Sequence, residues 1–310
     1  MRLRTRSAPM LAAVAVAALL SGCGLGGGHG TKDASVVVTG NFGTQRYGSA
    51  VEAQVPGAET VMSLLQRHFK VTTRYGGGFA ESIGGHSGSA SHRDWFYYVN
   101  GIEAASGAAT TKVHAGDHVW WDLHDWSATD SIPAVVGSYP EPFTNGSGGR
   151  EFPTLLNCGA GVQKACNTVG SALHGYGVKA ADQVLGTGSG SDSLAVVVGT
   201  WSQIKGVIAA ELIASGPRDS GVYARFGDSG RALALDNPKG QVVRTLRGSV
   251  GLIAATGEAS LGQPTWFVTG TDVAGVTAAA RAFTAAKLDH HFAVAVDGST
   301  VIPVPLAPGS

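Results

Sequence analysis

Charge is scarce in this chain. Only 14% of its 310 residues are Asp, Glu, Lys or Arg, with 22 acidic against 22 basic. No basic surplus exists to neutralise phosphates, so a nucleic-acid partner is not expected. Cysteine numbers three. That excludes a disulfide-dense scaffold, and no second Cys/His pair stands at the spacing of a zinc finger. HExxH and GxSxG do not occur, and neither GxGxxG nor a P-loop stands where a strand is expected to meet a helix. No two carboxylates are spaced as a glycosidase pair. These absences argue for a protein that is not an enzyme and has no metal centre. Glycine, at 46, and hydrophobic residues, at 44%, are plentiful. Such a chain can bury two sizeable cores joined by many turns.

The N-terminus is a targeting segment. Arg2, Arg4 and Arg6 precede an apolar run from Ala8 to Leu20, too short to span a bilayer comfortably. Leu20-Ser21-Gly22-Cys23 follows and resembles the lipobox of bacterial lipoproteins, which implies that Cys23 carries a lipid and begins the mature chain. Residues 1–22 are then a signal peptide, and 23–33 are a flexible Gly-rich tether. The expected address is the outer side of a cell membrane, with the lipid anchor holding the protein there. From Cys23 onward the chain has 19 basic against 22 acidic residues. Cys158 and Cys166 remain as a pair. Outside the cytoplasm a disulfide is the expected state, and a metal pair the weaker alternative.

Residues 34–128 read as an α+β unit. Ala34–Thr39 is a β-branched run, Ser49–Val55 alternates, and Thr60 stands before Val61, Leu64, Leu65 and Phe69 at helical spacing. Short strands follow over Phe69–Tyr75, Phe79–Ile83, Trp95–Val99, Thr110–Val113 and His118–Trp126, with a turn at Asn100-Gly101. Strands, one helix, then strands suggests a β-grasp-like domain, a mixed sheet with a helix across one face. Along His118–Trp126, alternation puts Val119, Trp121 and Leu123 on a core-like face. His118, Trp120, Asp122, His124 and Trp126 share the other. Aromatics mixed with polar groups suit a ligand surface; the alternative is that Trp120 and Trp126 pack under the Pro-rich strap that follows. The candidate ligand residues are Trp95, Tyr97, Tyr98, Trp120, His124 and Trp126. His86, His92, His114, His118 and His124 cluster in sequence, but no spacing among them is that of a metal site.

The marks Thr60-Val61-Met62-Ser63-Leu64-Leu65, Ser82-Ile83-Gly84-Gly85, Trp95-Phe96-Tyr97-Tyr98-Val99-Asn100-Gly101, Gly107-Ala108, Gly116-Asp117 and Val119-Trp120 occur in one order. Together they resemble the transcobalamin-like C-terminal domain family of bacterial surface proteins, over about residues 34–128. The resemblance implies a module that binds a small molecule or a partner. It makes cobalamin a candidate ligand and a vitamin transporter in the membrane a candidate partner.

Residues 129–150 carry Pro133, Pro140 and Pro142 and end in a Gly/Ser run, the composition of a linker or strap. Residues 151–310 read as an α/β domain. A helix is expected over Gly161–Leu173. Two βαβ-like units then follow: Ser193–Val198, Ser202–Ala214 and Gly221–Phe226, and later Thr265–Thr269, Asp272–Lys287 and His291–Val296. The functional expectation is a lipid-anchored, non-catalytic binding protein. The alternatives are a structural or adhesive envelope protein, whose aromatics form a seam between domains, and an envelope hydrolase.

Overall fold

The computed structural model describes residues 33–88, 92–186, 188–258, 260 and 262–307. The expected signal peptide, Cys23 and the expected tether up to residue 32 lie outside the described residues. The fold is mixed α+β with several sheets. The first half runs β1 (Ala34–Gly40), β2 (Gln45–Glu52), α1 (Val61–His68), β3 (Val71–Arg74), β4 (Phe79–Ile83), β5 (His86–Ser87), β6 (Arg93–Val99), β7 (Ile102–Glu103) and β8 (His118–Asp125). The second runs β9 (Thr154–Cys158), α2 (Gln163–His174), β10 (Ala180–Val184), β11 (Leu194–Thr200), α3 (Trp201–Ile204), α4 (Ile208–Ser215) and α5 (Pro217–Ser220). It continues through β12 (Ala224–Phe226), β13 (Ala232–Asp236), β14 (Val242–Arg247), β15 (Val250–Thr256), β16 (Thr265–Gly270), α6 (Val273–Ala282), α7 (Ala285–Leu288), β17 (Ala293–Asp297) and β18 (Thr300–Val304).

The first half is built on a five-stranded sheet in the order β2-β1-β8-β6-β7. β1 and β8 run parallel, and the other neighbours antiparallel. Thr60 caps α1 by accepting from the Ser63 amide, and the Ser63 hydroxyl accepts from the Thr60 amide in return. Val61, Leu64 and Leu65 of α1 pack with Val36, Val38, Val119, Trp121 and Leu123 from one face of the sheet. The alternation expected for β8 therefore holds on this side. β3, β4 and β5 form a separate small sheet. Thr110–Val113, expected as a strand, makes only an isolated bridge from Lys112 to Thr60.

The second half holds a seven-stranded sheet, β10-β9-β11-β16-β15-β17-β18. β10, β9, β11 and β16 are mutually parallel, and β15 is antiparallel to both β16 and β17. α2 and α6 cover one face. Cys158, at the end of β9, is bonded to Cys166 on α2. The first expected βαβ unit does not close in this sheet. Val207 interrupts its helix, which divides into α3 and α4, and β12 pairs instead with β13 in a three-stranded sheet with β14. In the second expected unit, β15 intervenes between β16 and β17.

Residues 129–150 are not a free linker. Ile132, Val135, Val136, Tyr139 and Phe143 are buried, divided between the two large cores. The segment is also hydrogen-bonded to both halves: Val135 N donates to Gly101 O at 2.8 Å, and Val136 N to Phe292 O at 3.1 Å. The Tyr139–Pro140 and Glu141–Pro142 bonds are cis. The apolar residues between the prolines make this segment a packed strap.

Candidate functional site

The second face of the first sheet, read from sequence as either a ligand surface or packing under the strap, is a seam. Phe42, Tyr98 and Trp120 share a core with Tyr223, Phe292 and strands of the second half. Phe292 is met edge-on by Phe42 at 5.2 Å, Tyr98 at 5.6 Å and Trp120 at 5.1 Å. His124 lies between the rings of Phe42 and Phe96, 4.6 and 4.4 Å away. The partners are thus the second half rather than the strap alone.

A buried carboxylate organises this seam. Asp122 accepts from Thr39 Oγ1 at 2.5 Å, Phe42 N at 3.0 Å and Gly43 N at 2.8 Å, and pairs with His124 Nδ1 at 2.9 Å. Thr39 Oγ1 in turn accepts from Trp120 Nε1 at 2.7 Å. Asn41, Phe42 and Gly43 all adopt positive φ, which turns the two amides onto the carboxylate. Left-handed backbone is costly at Asn41 and Phe42, and Asp122 offsets that cost. At Gly43 a side chain would meet His290 O at 1.8 Å, and at Gly137 it would meet His291 N at 2.5 Å. These glycines let the first half and the strap close on the His290-His291 backbone.

Tyr98, Trp120 and His124, expected as ligand residues, are therefore sealed from solvent within this seam. Trp95 is also buried, in the core beneath α1. Trp126 is partly exposed at the far end of β8, where Nε1 donates to Asp94 Oδ2 at 3.2 Å. Tyr97 is placed differently. It stacks on Trp121 at 4.8 Å, its hydroxyl donates to Ser106 O, and that hydroxyl lies 2.8 Å from Thr111 Oγ1. Burial raises its pKa above the usual phenol value.

Ser106 and Thr111 belong to the wall of a cleft of about 870 Å³ where the two halves and the strap meet. The first half contributes Ile102–Ser106 and Thr110–Lys112. The strap contributes Ser131, Pro133, Ser147 and Gly148, and the second half Arg218, Asp219, Glu258 and Gln263 among others. Glu103 lies in the wall, where Ser131 Oγ donates to its carboxylate at 2.6 Å. Burial pushes its pKa above the ordinary carboxylate value, against the opposing pull of the Ser131 hydrogen bond. Lys112 and Arg218 are exposed and make no ion pair among the described residues. The cleft thus offers charged groups of both signs and hydroxyls in one concavity, a set suited to a polar small molecule.

Glu103, Lys112, Ser131 and Arg218 were not among the residues singled out from sequence. They come from distant segments, and no local pattern marks them. The one available signal is an acid on a short apolar strand, Ile102-Glu103. Elsewhere, two of the strand-to-helix junctions carry side-chain caps. Thr200 and Gln203 form a capping box on α3, and Asp272 caps α6 by accepting from Gly275 N at 2.8 Å. Among the described residues no three His, Cys, Asp or Glu side chains are grouped to hold a metal. Nor is any described helix long and apolar enough to cross a membrane.

The class these features define is a two-part α+β protein with a cleft at its junction. More particularly, the model of a domain of unknown function, DUF4430, matches residues 58–125, from the start of α1 to the end of β8. Among solved structures, a provisionally assigned metal-binding protein from Ruminococcus gnavus ATCC 29149 is similar at 18% identity. The likeness spans 30% of this chain and 97% of that one, with a TM-score of 0.25. No curated protein matches the chain.

Proposed function

We propose that this chain is a lipid-anchored, extracytoplasmic binding protein that captures a polar small molecule in the cleft between its halves. The observation that carries the reading is the cleft itself. Its volume suits a ligand, both halves and the strap build it, and it holds a half-buried carboxylate. A charge kept there at a cost to stability is characteristic of a functional site. The lipobox ending at Cys23 supports the address. The motif series in residues 34–128 supports a transcobalamin-like module, and the sheet of β1 parallel to β8 with α1 across it is consistent with a β-grasp. On this reading cobalamin is the first ligand to test, and a membrane transporter the partner that would receive it. The reading is one of binding without catalysis.

The test is a titration of the mature chain with cobalamins, following tryptophan fluorescence. A saturable change that Arg218→Ala or Glu103→Gln weakens about tenfold supports the proposal, tenfold corresponding to one lost charged contact of about 1.4 kcal/mol. No saturable change would remove cobalamin as the ligand. The seam favours a second reading, a structural envelope protein whose halves are fused by aromatic packing. It predicts that cleft substitutions leave cellular function intact while Trp120→Ala abolishes it.

A further inference from the structure

Among the described residues, every sheet edge but one carries a device that stops another strand from adding to it. β5, β7 and β12 are only two or three residues long. β18 carries Pro303, which has no N–H to donate. β2, β3 and β14 pair irregularly with their inner neighbours and carry Arg46, Arg74 and Arg244. The exception is β10, at the edge of the seven-stranded sheet. Its five residues pair with β9 without irregularity and include no Pro, Lys or Arg. All after Ala180 are exposed, Val184 to 86%. Its backbone bonds to β9 alone among the described residues.

The strand is also complementary to itself. Asp182 stands beside Leu156 of β9, and Ala180 packs against the same core as Leu156, so both point to the α2 side of the sheet. Asp182 and Lys179 line one pocket beside α2, and neither is in an ion pair among the described residues. An antiparallel second copy with its two-fold axis at Ala181 sets each Asp182 opposite the partner's Ala180, next to the partner's Lys179. Two reciprocal ion pairs result. The same register brings each exposed Val184 to the partner's Val178. An axis at Asp182 would instead set the two carboxylates directly opposite each other.

From this we infer that β10 pairs with β10 of a second copy of this chain, about a two-fold axis at Ala181. The seven-stranded sheet then continues from one copy into the other. The charges of Lys179 and Asp182, and the bare Val184, select a second copy over an unrelated strand. Two five-residue strands bury less than a standard interface, so the pairing is weaker than about 1 μM in Kd. No residue of β10 lines the cleft, so variants of this edge leave the residues of that site in place.

The chain from Gly24 onward, which keeps every described residue and carries no lipid, tests this by analytical ultracentrifugation up to about 0.5 mM, well above that Kd. A monomer–dimer equilibrium is expected. Asp182→Lys weakens it about tenfold, because symmetry breaks two ion pairs at once. Adding Lys179→Asp to that variant restores it, and all variants keep the wild-type melting temperature within a few degrees. Under mild oxidation Ala181→Cys crosslinks to itself across the axis. Val184→Cys does not, since its two copies lie about 20 Å apart along the strands. A monomer at every concentration, a dimer indifferent to Asp182→Lys, or crosslinking of Val184→Cys as fast as Ala181→Cys would overturn the proposal. A monomer that instead binds an added extended peptide along β10 would overturn it too, leaving the edge to a foreign strand.

Discussion

At the residue scale, Asp122 and Trp120 hold the seam together. Trp120→Ala removes a fully buried indole and the hydrogen bond to Thr39, so a loss of about 3–5 kcal/mol is expected. Calorimetry would show it as a lower melting temperature; an unchanged value would contradict the packing described. Glu103 behaves oppositely. Its pKa in the folded state lies above the unfolded value, so its charge costs stability as pH rises through that interval. Glu103→Gln removes the charge and is expected to raise the melting temperature at pH 7 while weakening ligand capture. His118 titrates in the other sense. Burial, with the nearby His290 second, pulls its pKa from 6.5 down to about 4. Below pH 6.5 the unfolded chain takes up a proton that the folded one refuses. Stability therefore falls between pH 6.5 and about 4 and levels off below that. Melting curves across this range should show the slope, and His118→Asn should flatten it.

Elements show why some of the fold was legible and some was not. Thr60 and the spacing of Val61, Leu64 and Leu65 mark α1 in the sequence, because capping and amphipathic periodicity are local. The alternation in β8 separates its two faces for the same reason. What covers the second face was not legible, since Phe292 and Tyr223 lie far along the chain and make no local pattern with Trp120. The strap was concealed by its composition. Prolines and glycines read as a linker, and only the packing of Val135, Val136, Tyr139 and Phe143 makes it structural. β15 separates two strands that seemed to form a unit, because Val250–Thr256 is an apolar run that could belong to any buried element. The Cys158–Cys166 bond ties β9 to α2 across a separation of eight residues. Cys158→Ser with Cys166→Ser is expected to cost roughly 2–3 kcal/mol, by the loop-closure relation. Denaturant unfolding would measure it, and a midpoint equal to wild type would contradict a stabilising role.

Over the whole molecule, two halves and a strap form one body with a cleft at their junction, and the proposed lipid at Cys23 sets where that body works. Cys23→Ser should release the protein from the membrane fraction; full retention there would contradict the anchor. The candidate site was hidden in the sequence because both halves and the strap build it, and no local pattern marks Glu103, Lys112, Ser131 or Arg218. The most direct measurement is a thermal-shift titration of the mature chain against cobalamins and a panel of polar metabolites, repeated on Glu103→Gln and Arg218→Ala. A ligand at a hundred times its Kd should stabilise the wild type by about 2.7 kcal/mol. The account predicts a saturable rise in melting temperature that shrinks in both variants. A rise of equal size in wild type and both variants would place the ligand elsewhere and contradict the cleft.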